Sequence, residues 1–136
     1  MRREIVVIDT REQSPWEFEV LTVRRALKFG DYSLRGLEHK CVVERKSAAD
    51  LAGTLTNGLA RFIREYDRAM ERGARLFLLA ECSFLEFEDV IARYSPGRRA
   101  SATLARFAAA SGIVPLFCGM RKRAGRTALA LLRAHV

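Results

Sequence analysis

The chain has 136 residues, enough for one domain and few for two, and 49% of them are hydrophobic, which supplies a buried core. Its formal net charge of +8 and pI of about 10.1 favour an anionic partner such as nucleic acid or a membrane surface. No apolar run reaches membrane-span length, "MRREIVVIDTRE" turns acidic too soon for a secretory signal, and the three spread cysteines and two histidines form no zinc spacing, disulfide framework or His-based triad.

The elements follow in chain order. "EIVVID" (Glu4–Asp9) reads as a buried strand ending in an acid. "TREQSPWEF" (Thr10–Phe18) is a loop broken by Pro15, with Trp16 as a core or loop anchor. "VLTVRRALKF" (Val20–Phe29) fits a strand or a helix. Tyr32–Arg35 and Cys41–Arg45 are strand candidates around a turn at Gly36. Ser47 then opens a helix, with Asp50 three residues on as a loose capping box. Asn57-Gly58 breaks it, and a second helix runs from Leu59 to Arg72 with Leu59, Phe62, Ile63, Tyr66 and Met70 on its apolar face. Arg61, Arg64, Arg68 and Arg72 fall on the opposite face at 3.6 residues per turn. Arg75–Glu81 is a buried strand, Ser83–Tyr94 and Ala100–Ser111 are helical, and Ile113–Cys118 is a strand that Pro115 places near an edge. A basic helix covers Lys122–Ala134. Strands alternating with helices predict an α/β fold around a partly parallel sheet, as one domain over 1–136.

The chemistry gathers between Gly30 and Asp50. If Tyr32–Arg35 and Cys41–Arg45 form a hairpin, Arg35 faces Lys40 and Asp31 faces Glu44. Like charges directly opposite each other destabilise a sheet. Two carboxylates roughly 5 Å apart can, however, share a hard divalent cation. Glu44 and Lys46 point to one face of the strand and Arg45 to the other. A lysine there can orient water or stabilise charge developing on phosphate. Asp9 ends its own strand and can add a third carboxylate at the same sheet edge.

These residues carry a resemblance. "IVVIDTRE", "GDY" and "VVERKSAAD" are similar to the nuclease domain of the XPF (xeroderma pigmentosum group F) family, with Gly30-Asp31 followed by Glu44-Arg45-Lys46 and Asp50. An upstream D-x-R-E is present as Asp9-Thr10-Arg11-Glu12, and "ARFIREYDRAM" and "LFLLAE" resemble the family's next helix and strand. The resemblance implies a restriction-endonuclease-like three-layer fold, a central mixed β-sheet flanked by helices. It implies Mg²⁺-dependent cleavage of DNA, with Mn²⁺ as a substitute, acting on branched or flap-like substrates in repair or recombination. Asp31, Glu44 and Asp9 are the implied metal ligands, and Lys46 the catalytic lysine. Arg45 and Asp50 complete the catalytic motif, and Glu12, Arg61, Arg64 and Arg68 are expected at the DNA. The chain resembles compact bacterial or phage members, without the helix-hairpin-helix module that grips DNA elsewhere in the family. A homodimer, or a partner protein supplying extra DNA binding, is therefore expected, in a cytoplasmic setting without a membrane.

Bland readings stand beside these. Asp50 is explained by a cap, and Glu12 by pairing with Arg11 or Arg45. Arg61 fits an i,i+4 surface pair with Glu65. The rival function is a non-catalytic DNA-binding or scaffold module of the same fold. An RNA-binding regulator rests on basic charge alone.

Overall fold

The computed structural model describes residues 3–136, so the first two residues of the expected domain lie outside the described part. Six strands, β1 (Ile5–Ile8), β2 (Leu21–Arg24), β3 (Tyr32–Leu34), β4 (Cys41–Lys46), β5 (Arg75–Ala80) and β6 (Leu116–Phe117), form one sheet in the order β2-β1-β3-β4-β5-β6. The helices are α1 (Ala48–Leu55), α2 (Leu59–Glu71), α3 (Phe84–Tyr94), α4 (Ala100–Ser111) and α5 (Arg121–Arg133). Strand β1 pairs in parallel with β2 and antiparallel with β3, β3 antiparallel with β4, and β4–β5–β6 are parallel. The expected mixed sheet flanked by helices is thus observed.

Three layers result from the alternation of side chains along the strands. Val42, Leu76, Leu78 and Ala80 point to one face and pack with Leu51, Phe62, Phe87, Ile91 and Phe107 from α1 to α4. Val6, Ile8, Tyr32, Cys41, Val43 and Leu79 point to the other and meet Ala124, Ala128, Leu129 and Leu132 of α5. Gly125 lets α5 come close, because a Cβ there would lie 3.2 Å from the Trp16 side chain. Among the described residues no helix is long and apolar enough to cross a membrane.

The ambiguous segment after Val20 resolves as strand β2 at the sheet edge, where Leu21 is 54% exposed. Strand β6 holds two residues rather than the expected six, and it lies at the opposite edge, as Pro115 required. The apolar face of α2 also differs from expectation. Ala69 takes the buried position, while Met70 is turned 44% to solvent. A small residue lets the helix lie close to the sheet, and the long Met side chain occupies the rim instead.

Candidate active site

The hairpin register is the one expected. Tyr32 pairs with Val43, which places Asp31 one step beyond, across from Glu44. Gly30 makes this approach feasible. It adopts φ of +77°, and a Cβ there would lie 3.0 Å from the Val42 Cβ. Asp31 is then held by the backbone: its N–H donates to the Val43 carbonyl at 2.8 Å, and its carbonyl accepts from Asp9 N–H at 2.9 Å. Its Oδ2 accepts from the Arg45 N–H at 2.7 Å.

Asp31 and Glu44 meet closely enough to share a hydrogen bond. Burial pushes the Glu44 carboxyl up to about 8, helped by the Asp31 charge beside it and opposed by Lys46. Burial also raises Asp31, against hydrogen bonds from Arg45 N–H and from the Glu44 carboxyl. The pair as a unit therefore retains a proton at neutral pH, which the two carboxyls share. Lys46 follows Glu44 on the same face of β4 and its charge acts on both carboxyls. The donors are oxygens only, which suits a hard cation such as Mg²⁺ or Mn²⁺ rather than a thiolate-loving metal.

This pair lies on the floor of a cleft of about 850 Å³, between the sheet and α2. Val7, Val42 and Asp9 complete the floor. Arg68 of α2, Arg72 at the C-terminal cap of that helix, and Arg25 and Lys28 of the loop before Gly30 stand on its walls. Arg68 and Arg72 are both exposed, so their cations remain available to a ligand. Glu65 lines the same wall and pairs at 3.5 Å with Arg61, whose side chain is 81% exposed.

Other expected site residues are placed differently. Asp9 is 1% exposed, and both of its oxygens are engaged: Oδ1 accepts from Leu27 N–H at 2.8 Å, and Oδ2 from Arg11 Nε at 2.7 Å. Burial alone would raise its carboxyl, but the Arg11 and Leu27 hydrogen bonds outweigh this and hold it below the usual value. Among the described residues no three His, Cys, Asp or Glu side chains converge to hold a metal. Asp9 thus lines the cleft beside the Asp31–Glu44 pair, with both of its oxygens engaged by the loop. Asp50 sits exposed in the first turn of α1, where its N–H donates to Ser47 Oγ at 3.2 Å, away from the cleft lining. Arg64 and Arg61 are on exposed parts of α2 outside the lining, so the expected ridge divides, and only Arg68 and Arg72 reach the cleft.

Arg45 points to the α5 face of the sheet. Its guanidinium donates to Glu12 Oε2 at 3.2 Å, to the Ser14 carbonyl at 2.7 Å and to both oxygens of Glu81 at 3.1 and 3.2 Å, with its Cζ 5.1 Å from the Trp16 ring centroid. Glu12 is spent there too, accepting from the Tyr32 hydroxyl at 2.6 Å. Arg45 is thus held on the α5 face, whereas Glu12 also lines the cleft and its charge helps to raise Asp31. Sequence reasoning passed over Arg25, Lys28 and Glu81. The basic run "RRALK" directly before Gly30-Asp31 was the available signal for the first two.

A family model described as the ERCC4 domain matches residues 8–134. Among solved structures, the chain is similar to XPF from Aeropyrum pernix in complex with DNA, at 26% identity and a TM-score of 0.73, over 97% of this chain and 64% of that one. It is also similar to XPF from Aeropyrum pernix at 25% identity and a TM-score of 0.72, over 96% of this chain and 60% of that one. The chain thus spans less than two thirds of the length of either structure. No match was found among the curated proteins compared.

Proposed function

The chain belongs to the ERCC4 domain family, and on that premise we propose that it is a metal-dependent DNA endonuclease that hydrolyses phosphodiester bonds in branched or flap-like DNA. The observation that carries this reading is the Asp31–Glu44 pair, two carboxyls that the β3–β4 register sets across from each other on the floor of a cleft, with Lys46 two residues on along the same strand face. Burying such a pair costs the fold desolvation, and like charges opposite each other on the sheet are avoided only while the pair keeps a proton. A cation offsets that cost. Asp31 and Glu44 would hold Mg²⁺ or Mn²⁺, which when bound supplies Lewis acidity towards a phosphate oxygen and acidifies a water.

The chain's own residues then divide the work. On binding a dication the pair would release its shared proton to solvent, so that both carboxylates could hold the cation. Lys46 places its ammonium near both carboxyls, where it can hold a water and offset negative charge growing on phosphate. Arg68, Arg72, Arg25 and Lys28 line the cleft and would bind neighbouring phosphates, setting the register of the strand. Positioning and charge stabilisation of this kind supply most of the rate in phosphoryl chemistry. A second copy or another protein would extend the grip on DNA. The XPF of Aeropyrum pernix was solved in complex with DNA, which supports DNA as the partner here.

The test is a cleavage panel of flap, fork, junction, single-stranded and linear duplex DNA with Mg²⁺, run beside Asp31→Asn. Cutting of a branched substrate that disappears in EDTA and in the variant is expected. Binding without any cutting in wild type would instead support the non-catalytic module.

A further inference from the structure

Beneath the carboxyl pair, on the other face of the sheet, lies a polar network that hydrolysis itself does not use. Trp16 Nε1–H donates to Glu81 Oε1 at 2.6 Å, and Trp16 N–H donates to the Tyr32 hydroxyl at 3.0 Å. The Trp16 and Tyr32 rings stack, with centroids 4.7 Å apart and planes 7° from parallel. Tyr32 directs its own proton to Glu12, and Arg45 reaches Glu12 and Glu81 from the centre. Among the described residues no buried side-chain nitrogen or oxygen lacks a partner, so the network is fully satisfied.

The arrangement matters because Arg45 faces two ways. Its side chain is clamped on the α5 face, while its backbone N–H donates at 2.7 Å to Asp31 Oδ2 on the cleft face. Tyr32 adjoins Asp31 in the chain, just as Arg45 adjoins Glu44. One network therefore grips the immediate neighbour of each acid. Glu81 is the charged end of that grip: both of its oxygens accept from one Arg45 nitrogen, and Oε1 also accepts from the Trp16 indole N–H.

We propose that Glu81, Trp16 and Tyr32 are positioning residues that, through Arg45, fix the orientation of Asp31 and Glu44 and so set the affinity of the pair for a divalent cation. This rests on the reading of Asp31 and Glu44 as the cation site. Groups that orient metal ligands without touching the metal typically change affinity by 10–100-fold when altered. Arg45 cannot be replaced by Lys without loss, because an ammonium lacks the planar fork that reaches both glutamates.

The experiment is Mn²⁺ binding to the full chain without DNA, followed by electron paramagnetic resonance, with thermal melts recorded in parallel. Glu81→Gln and Arg45→Lys should weaken Mn²⁺ binding about ten-fold. Trp16→Phe keeps a stacked ring and removes the indole N–H, so a smaller effect, about three-fold, is expected. A network with a purely structural role would lower the melting temperature of these variants and leave Mn²⁺ affinity within two-fold of wild type, and that result overturns the proposal. If Glu81→Gln fails to fold, Tyr32→Phe, which removes one hydroxyl, decides by the same two-fold threshold. Wild type that binds no Mn²⁺, or Glu44→Gln that binds it normally, would overturn the cation site itself. Normal wild-type binding with unaffected network variants would overturn the positioning role alone.

Discussion

Replacing Glu44 with Gln tests the pair most directly, because the amide keeps the shape and can still donate to Asp31 while the charge is gone. In the metal-free protein Glu44 ionises at about 8 instead of its usual 4.5. The folded state thus holds this proton more tightly than the unfolded chain does. Stability then falls as pH rises from 4.5 and levels off above about 8, since the unfolded chain releases the proton first. The gap corresponds to at most about 5 kcal/mol, at about 1.4 kcal/mol per pH unit. Solvent at the cleft mouth screens part of it, which leaves about 2 kcal/mol as the working value. Glu44→Gln has no such proton to release. It should match wild type near pH 4.5 and be about 2 kcal/mol more stable at pH 9, about 6–10 °C in Tm for a chain of this size. Mg²⁺ should reverse the order at pH 9, raising wild type by the binding linkage and leaving the variant where it was. Calorimetric melts at pH 5, 7 and 9, with Mg²⁺ and with EDTA, read both effects. Equal melting of the two proteins at pH 9 in EDTA, or equal stabilisation by Mg²⁺, would refute the reasoning.

Other outcomes follow from the same geometry. Arg68→Gln with Arg72→Gln should flatten the log–log salt dependence of duplex DNA binding in EDTA by about 1.8, at about 0.9 for each phosphate no longer neutralised, whereas Arg61→Gln should leave the slope unchanged. Gly30→Ala combines a φ of +77° with a Cβ approach of 3.0 Å, so it should cost about 2 kcal/mol or more in urea titrations and weaken Mn²⁺ binding through the displaced Asp31. Asp9→Asn breaks the clamp to Arg11 and should lower Tm while changing Mn²⁺ affinity less than about three-fold. An effect on affinity comparable with that of Asp31→Asn, which removes a direct ligand, would return Asp9 to the ligand set.

Much of this architecture is legible in the sequence because it rests on local rules. The hairpin register follows from counting outward from Gly36, and that count alone puts Asp31 and Glu44 together. Helices α2 and α4 are bounded by Gly58 and Gly112, and Pro115 places β6 at an edge. Ser47 carries a capping signal of which only half forms. The full box lies at Ser83–Glu86, where the S-x-x-E pattern stands in plain view. What stays hidden is tertiary. Alternation says that Arg45 points away from Glu44, but not that Glu81, distant in sequence, meets it. Nor can spacing reveal that Leu27 and Arg11 occupy both oxygens of Asp9. The expected arginine ridge divides because a helix has neighbours: whichever face turns to the sheet decides which cations border a cleft.

The order of the strands also bears on how the molecule comes together in time. Asp31 and the Arg45 amide that holds it are only 14 residues apart, within one hairpin, so they can meet early and at little entropic cost. The grip on Arg45 closes a separation of 36 residues, and the hydrogen bond from Arg121 to Ser14 one of 107. Long closures come late in folding. The chain therefore builds its mutually repelling acids before it builds the braces that align them. A dication that binds that early hairpin should raise the folding rate, whereas one that binds only the finished site slows unfolding alone.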